Sequence, residues 1–409
     1  MNDVVIVSAC RTPIGTYGGT LKDMHASSIS STAMKAAIER AGIDAGEIDD
    51  VRFGCCLNPT DAMNVTRIGA LLAGIPDSVP AATVNRVCIS GMEATLSGAA
   101  MIKAGDADII LSGGVEHMSG VTYTLERVRW GVRMGNDTVT DALTTGLHCG
   151  SHILPYPADG PLEFFRGKPY IMGHTAEFVA QKYGISRQEQ DEVALRSHNN
   201  VERATNDGSF ADEIVPIMVP QRKGDPKPFE RDEHFRPGLT MEALAKLQPA
   251  FIPKTGTVTA GNASGINDGA AAMVIMSSET AKARGIKPLA RIKAVGMGAC
   301  DPTIMGVSPV PAVKNLLKRS GLKLEDFELI ELNEAFASQY LGCERELGLN
   351  REVTNVNGSG IGLGHPVGCT GARLMVSLTY ALRKRGKTLG LATLCGGGGV
   401  SMACAIEII

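Results

Sequence analysis

The sequence has few aromatic side chains, no large excess of charge of either sign and no long apolar run. Phe, Trp and Tyr make up 4% of the 409 residues, and the net charge is −3. This charge gives no electrostatic reason to expect binding to nucleic acid or to an anionic membrane. No apolar run reaches the length of a membrane-spanning helix. We therefore expect a globular protein with neither partner, and 409 residues are enough for two or more domains.

Paired cysteine spacing is also absent. The ten cysteines are scattered without any Cys-x-x-Cys, and the adjacent Cys55 and Cys56 are unsuited to chelating one metal ion together. The first residues, 1–7, lack the basic and then apolar regions of a signal peptide, and their pattern is typical of a first strand. We expect reduced thiols in a cytoplasmic chain, with no metal site.

Short apolar strands alternate with helical segments toward both ends of the chain, which predicts an α/β layered fold. In the first part, strands are predicted at 4–9, 49–54, 82–84 and 107–112, and helices at 28–41 and 65–73. Gly113 to Glu116 is expected to close the last of these strands. Between 118 and 251 the chain is richer in proline, charge and aromatics, which favours an inserted cap over another layer of sheet.

Two parts of the chain resemble each other at a separation of about 280 residues. The segment ending at Gly42 matches the one ending at Gly321, which lies 279 positions later. Ser90-Gly91 and the helix after it match Thr370-Gly371 and its helix, 280 positions later. We infer a duplicated half whose two copies bring the region of Cys88 beside that of His365.

Cys88 lies between an extended segment and a helix of small residues. The pattern predicts a strand-to-helix turn with the thiol near a helix N-terminus. The positive end of the helix dipole favours a thiolate, which is the nucleophile in covalent acyl-thioester catalysis. An ordinary buried cysteine is the alternative.

Three further segments carry residues suited to catalysis. His365 lies in a glycine-rich loop, 355–368, and fits either a general base or a structural histidine. Cys395 precedes four glycines whose N–H groups can form an oxyanion site, with a core cysteine as the alternative. Asn333 and Glu334 follow a predicted strand, where α/β folds place ligand groups, although Asn333 also fits a helix N-cap.

Together these segments resemble the thiolase family over essentially the whole chain. The matching motifs, in order, are Arg11–Gly15, Asn85–Gly91, Asn333–Ala337, Gly364–Pro366 and Cys395–Gly398. The resemblance implies a duplicated α-β-α-β-α layered fold with an inserted loop domain. The expected boundaries are 1–118 plus 256–286 for the N-terminal half, 119–255 for the inserted coenzyme A-binding domain and 287–409 for the C-terminal half.

By this resemblance, Cys88 is the acylated nucleophile, His365 takes its proton and Cys395 moves the α-proton of the second acyl-CoA. Asn333, acting through a water, would hold one oxyanion together with His365. The backbone N–H groups of Cys88 and Gly397 would hold the other, since Claisen chemistry develops two separate oxyanions.

The resemblance also implies coenzyme A as a substrate and product, with no separate cofactor. Arg236 would meet its adenine end. The other implied contacts, to the pantetheine and the acyl group, are Ser264, Phe251, Ala260, Met172, Met305 and Phe336. Arg129–Gly131 resembles the loop that joins dimers into tetramers in many members, which implies a homodimer or homotetramer.

The implied reaction is the reversible condensation of acetyl-CoA, or cleavage of acetoacetyl-CoA, through an acyl-cysteine in fatty acid metabolism. One alternative is a 3-ketoacyl-CoA thiolase for longer or unusual chains, and another is a non-catalytic protein on the same fold that binds CoA esters or lipids. A decarboxylating ketosynthase is disfavoured because Cys395 stands where it would have His or Asn. Ile89 replaces the family's usual glycine and is expected to add bulk beside the acyl site. The segment 148–167 looks longer than usual at the rim of that site.

Overall fold

The computed structural model describes residues 3–409, which form strands and α-helices in alternation. The strands in this range are β1 (Val4–Arg11), β2 (Gly15–Thr16), β3 (Asp50–Gly54), β4 (Ala81–Val84), β5 (Ile109–His117), β6 (Tyr123–Thr124), β7 (Thr140–Asp141), β8 (Ile217–Val219), β9 (Lys227–Phe229), β10 (Asn267–Ser277), β11 (Ala290–Ala299), β12 (Leu329–Leu332), β13 (Leu389–Gly396) and β14 (Val400–Ile408). The helices are α1 (Ala26–Ala41), α2 (Val65–Leu72), α3 (Ser90–Ala104), α4 (Ala142–Leu147), α5 (Met172–Tyr183), α6 (Arg187–Asn206), α7 (Met241–Ala245), α8 (Ser278–Ala283), α9 (Pro309–Ser320), α10 (Ala337–Leu347), α11 (Gly360–Leu363) and α12 (Val367–Lys384).

The main sheet consists of two half-sheets joined at a narrow seam. Its strand order is β12-β13-β14-β11-β1-β10-β5-β3-β4, with β2 added beside β10. The seam between β1 and β11 has only two residue pairs, Val5 with Arg291 and Ile6 with Ala290. So short a junction lets one half-sheet fold over the other.

Three apolar clusters fill the spaces between the layers. One packs α1 and α2 on the N-terminal half-sheet, and another packs α9 and α10 on the C-terminal half-sheet. The third lies between the half-sheets and combines side chains of α3, such as Met92, with side chains of α12, such as Leu374. The predicted α-β-α-β-α layering is therefore confirmed, with α3 and α12 as the middle layer.

The two halves also use glycine at matching positions. Both α1 and α9 end at a left-handed glycine, Gly42 with φ 66° and Gly321 with φ 73°. In the middle layer, a Cβ on Gly91 would lie 2.8 Å from the Gly368 oxygen, and a Cβ on Gly371 would lie 2.5 Å from the Met92 nitrogen. The pair detected at a separation of 280 residues is thus the point where the two central helices touch backbone to backbone.

The expectation that Gly113 to Glu116 closes a strand was wrong. Strand β5 runs through these residues to His117 and pairs with β10 along its whole length. The glycines serve close packing here: a Cβ on Gly113 would lie 2.1 Å from the Ala271 oxygen, and one on Gly114 would lie 2.4 Å from the Gly368 oxygen. Strand β5 can therefore pass directly beneath the start of α12.

Between β5 and β10 the chain forms two separate hairpins, β6 with β7 and β8 with β9, together with α4 to α7. The first hairpin presents large apolar side chains to solvent, including Trp130 and Met134. Within residues 3–409, no helix combines the length and the apolar character needed to cross a membrane.

We predict that Gly371→Ala destabilises the fold, because the new methyl group meets the backbone nitrogen of Met92. The expected loss is about 1–3 kcal/mol, typical of overpacking in a close-packed core. Gly146→Ala is the matched control, since the added Cβ would meet only the flexible end of the Leu57 side chain. Urea unfolding of both variants measures the difference, and equal unfolding free energies would contradict the close helix crossing.

Candidate active site

Cys88 lies in a tightly bonded turn between β4 and α3, as the sequence predicted. Val87 has a φ of 52°, an uncommon left-handed conformation for a β-branched residue. The turn is held because Asn85 Oδ1 accepts the Val87 N–H at 3.0 Å and Ser90 Oγ accepts the Arg86 N–H at 2.8 Å. The thiol that this turn presents is buried, with 3% of Cys88 exposed.

The expectation that the helix terminus makes Cys88 a thiolate was wrong for the free protein. Burial raises the pKa of the Cys88 thiol well above its ordinary value, and the nearby Cys395 and Cys149 thiols raise it further. The Gly397 N–H, which bonds the thiol, opposes the rise but does not overcome it. Loss of hydration therefore outweighs the helix dipole, and Cys88 needs a base to remove its proton.

His365 is the candidate for that base, because Val367, two residues after it, packs with Cys88. Its backbone N–H donates to Asn267 Oδ1 at 2.8 Å, and its Nδ1 lies 2.7 Å from Thr370 Oγ1. The Thr370 hydroxyl donates its hydrogen to the Pro366 oxygen at 2.9 Å, so it accepts from Nδ1–H. This network assigns the proton to Nδ1 and leaves the lone pair on Nε2. Burial, aided by the Arg373 charge, lowers the pKa of His365 to about 3, so the ring is neutral.

Asn333 stands beside this histidine. Its Nδ2 lies 3.4 and 3.5 Å from the two ring nitrogens of His365, and its buried Oδ1 has no partner among residues 3–409. Gly360 makes room for the amide, since a Cβ there would lie 2.7 Å from Oδ1. The interpretation of Asn333 as a helix N-cap is wrong, because α10 begins at Ala337 with Phe336 as its cap.

Cys395 lies near the end of β13 and faces the same space. It is 1% exposed and packs with Met305 and Ala335, while Met172 and Phe336 lie against this group. Burial raises the pKa of the Cys395 thiol, so it too is protonated in the free protein. The buried Cys88 and Cys395 thiols thus lie close enough to affect one another, Asn333 lies beside His365, and Val367, two residues after His365, packs with Cys88 in one buried region.

Most of the predicted coenzyme A contacts lie along one wall of this space. The Phe251 ring is 6.3 Å from the Phe336 ring, and the Ser264 N–H donates to the Ala335 oxygen at 2.9 Å. Ala260 is exposed in the turn just before Ser264. Arg236 stands apart: it is exposed, and its backbone N–H donates to His198 Nδ1 at 3.2 Å.

The two departures from the family pattern have different outcomes. Ile89 is 0% exposed and packs into the apolar layer between the half-sheets, where its Cγ2 lies 3.6 Å from the position of a Cβ on Gly396. The long segment 148–167, by contrast, forms a wall in which Tyr156 and Phe165 pack on Phe178 of α5. This wall adjoins the site, because His174 of α5 touches both Phe165 and Phe251, at ring distances of 4.9 and 6.1 Å.

Several residues of the site were not predicted. Asn267 and Thr370 hold His365, Glu116 binds the start of α12, and a Cβ on Gly397 would lie 2.2 Å from the Cys149 sulfur. Thr370 appeared in the sequence only as part of the repeat, and Glu116 only as the end of a glycine-containing stretch. No spacing signal marks Asn267 or Cys149, since their roles arise from tertiary contacts.

Comparison with known proteins decides the family. Residues 4–279 match the family described as thiolase, N-terminal domain, and residues 286–408 match thiolase, C-terminal domain. The chain belongs to the thiolase family.

Relatives and solved structures resemble this thiolase along its whole length. It is 46% identical to an acetyl-CoA acetyltransferase of Syntrophomonas wolfei over 412 residues, covering 100% of this chain and 99% of the relative. The Bacillus anthracis acetyl-CoA acetyltransferase structure matches with a TM-score of 0.93 and 45% identity, covering 100% and 99% of the two chains. Human mitochondrial 3-ketoacyl-CoA thiolase in complex with CoA matches with a TM-score of 0.92 and 40% identity, covering 100% and 98%.

We predict that the acid limb of the pH–activity profile does not come from His365 at its ordinary pKa. The lowered pKa of about 3 keeps the base neutral in mildly acidic solution, so protonation of His365 removes activity only at lower pH. The value of kcat/KM is therefore expected to show no histidine inflection near pH 6.5, the ordinary value. An inflection there that His365→Asn abolishes would contradict the lowered pKa.

We predict that Thr370→Val slows the reaction by about 10-fold to 100-fold, because Nδ1–H loses its acceptor and the ring can adopt the wrong tautomer. Thr379→Val is the matched control on the same helix, where the Thr379 hydroxyl donates to the Met375 oxygen at 2.8 Å and touches no histidine. Steady-state rates of both variants test this role, and equal losses would refute it.

Proposed function

We propose that this thiolase reversibly condenses two molecules of acetyl-CoA into acetoacetyl-CoA and free coenzyme A, through an acetyl-Cys88 intermediate. The observation that carries the proposal is the proximity of the two buried thiols, Cys88 and Cys395, together with the neutral His365, whose segment packs against Cys88, and its neighbour Asn333. The names of the 44–46% identical relatives support an acetyl group as the transferred unit.

In the first half-reaction, His365 Nε2 takes the Cys88 proton as the sulfur attacks the thioester carbonyl. A C–S bond forms to Cys88, the C–S bond to coenzyme A breaks, and the proton goes to the departing CoA sulfur. The Gly397 N–H already points at the Cys88 thiol, so with the Cys88 N–H it suits the oxyanion that develops on this acyl group.

In the second half-reaction, the Cys395 proton passes to His365, and the Cys395 thiolate then removes an α-proton from a second acetyl-CoA. The resulting enolate oxygen suits His365 together with Asn333, which would act through a water. The carbanion attacks acetyl-Cys88, so a C–C bond forms and the C–S bond to Cys88 breaks. His365 returns its proton to the Cys88 sulfur, which completes the cycle.

The apolar lining matches a short acyl chain. Met305, Met172 and Phe336 lie against Cys395, and none of them offers a hydrogen bond or a charge to a substrate carbon chain. We assign the acyl group to this pocket, the pantetheine to the wall of Phe251, Ala260 and Ser264, and the adenine end to the separate Arg236.

One observation favours a second candidate, a thiolase for longer or unusual 3-ketoacyl chains. The aromatic wall of segment 148–167 reaches the pocket through Phe165 and His174, and its apolar rings could line an extended acyl chain. Rates of cleavage across 3-ketoacyl-CoA esters of increasing length separate the two candidates.

We also propose that the protein assembles as a dimer or tetramer. Strand β4 is an unpaired sheet edge, and α2 beside it exposes Ile68, Leu71 and Leu72. The exposed hairpin with Trp130 supports a second contact between dimers. The cytoplasmic location, the role in fatty acid metabolism and the exact domain boundaries remain predictions from the sequence.

We predict that incubation with acetyl-CoA leaves an acetyl group on Cys88, detectable by mass spectrometry of the intact chain and its peptides. Cys395→Ser is expected to form the same adduct, because acylation does not use Cys395. Its condensation rate should fall about 10²-fold to 10⁴-fold, the usual contribution of a general acid–base group.

Cys404→Ser is the matched control, a buried cysteine on β14 away from the site. It should both acetylate and condense normally. No adduct on wild-type Cys88 would overturn the proposed function, and normal condensation by Cys395→Ser would overturn the role of that residue.

A further inference from the structure

Glu116 is a fully buried carboxylate at the end of β5, and the reaction steps above do not use it. Its Oε2 accepts the backbone N–H groups of Cys56 at 2.9 Å and Gly368 at 2.8 Å. Its Oε1 accepts the Leu57 N–H at 3.0 Å and the Cys55 thiol at 3.4 Å. Every contact is a donor, so both oxygens serve as acceptors.

These contacts join the two halves of the chain. Cys55, Cys56 and Leu57 follow β3 in the N-terminal half, whereas Gly368 lies in the first turn of α12, three residues after His365. The fit at the junction is close, because a Cβ on Gly368 would lie 2.6 Å from Glu116 Oε2 and 2.8 Å from the Cys55 Cα. The carboxylate therefore fixes the start of the base-bearing helix against the N-terminal half.

The same carboxylate is linked to the nucleophile. The Cys56 thiol, whose backbone Glu116 holds, donates to the Val87 oxygen at 2.8 Å. Val87 is the left-handed residue immediately before Cys88. One path thus runs from Glu116 through Cys56 and Val87 to Cys88, and another runs through Gly368 to His365.

We propose that Glu116 is a positioning residue that sets the distance between the Cys88 sulfur and the His365 base across the two halves. This proposal rests on the proposed function, in which His365 takes the Cys88 proton. Proton transfer requires the two groups within hydrogen-bond reach, so the geometry of this junction controls the acylation step.

The charge of Glu116 does not serve to activate Cys88. A carboxylate beside a thiol disfavours the thiolate, and Glu116 is among the groups that raise the pKa of Cys88. Removing the charge should leave Cys88 at least as ready to ionise, while misplacing the base. Thiol reactivity and acyl transfer are therefore expected to respond in different directions.

The main test is Glu116→Gln, which keeps the shape but turns one acceptor into an NH₂ group facing two donors. We expect acetylation of Cys88 by acetyl-CoA in a single turnover to slow about 100-fold, as for a misplacement of about 1 Å. Alkylation of Cys88 by iodoacetamide at fixed pH should be unchanged or faster. The KM for coenzyme A should change by less than about threefold, since no binding contact is lost.

Asp49→Asn is the matched control, a carboxylate just before β3 that binds the opposite end of β5. Its carboxylate accepts the N–H groups of Asp108 at 2.7 Å and Ile109 at 2.9 Å, away from the site. It should acetylate at the wild-type rate. Cys56→Ala removes the thiol contacts to the Val87 oxygen and Ser90 Oγ. It is expected to slow acetylation about 10-fold, and this result is used if Glu116→Gln does not fold.

Wild-type acetylation by a folded Glu116→Gln, or by Cys56→Ala where that variant decides, would overturn the positioning role. A parallel loss of acetylation, alkylation and coenzyme A binding would also overturn it, because general damage to the fold predicts that pattern. Absence of acetylation in the wild-type protein would instead overturn the proposed function, on which this role depends.

Discussion

The structure depends on the backbone contact between α3 and α12 in the middle layer. Gly91 and Gly371 allow the two helices to meet without side chains between them. Each helix begins beside a residue of the proposed mechanism, Cys88 for α3 and His365 for α12, so their contact also sets the separation of the proposed nucleophile and base. The contact that packs the middle layer of the core therefore also brings the two parts of the site together.

Burial then decides how the site works. A space lined by two buried thiols and a neutral imidazole disfavours every charged form, so the free site holds its protons. In the proposed mechanism, the Cys88 proton therefore moves to the His365 imidazole only when a bound thioester is there for the sulfur to attack. The fixed N–H of Gly397 would then stabilise the negative charge that develops on the thioester oxygen. This stabilisation is strong because the buried site has a low dielectric constant.

Much of this was predictable from the sequence, and the reasons are local. The turn at Cys88 and the strand that precedes Asn333 follow from apolar spacing and small residues, and the repeat indicated that the halves face each other. The predictions that failed were those that depend on contacts between distant parts of the chain. The glycines of β5 signalled close packing and not a turn. The pKa of Cys88 depends on a degree of burial that no motif states.

Duplication explains why the two halves carry different chemistry on the same scaffold. Strands β5 and β13 occupy corresponding places, and each carries a polar side chain one residue before its end. In β13 this is Cys395, which packs with Met305 and Ala335, and in β5 it is Glu116, which binds the other half. In each half, the helix start carries one reacting partner. A duplicated fold supplies two such helix starts and two such strand ends. In the proposed mechanism, one strand end is structural because the other performs the proton transfer.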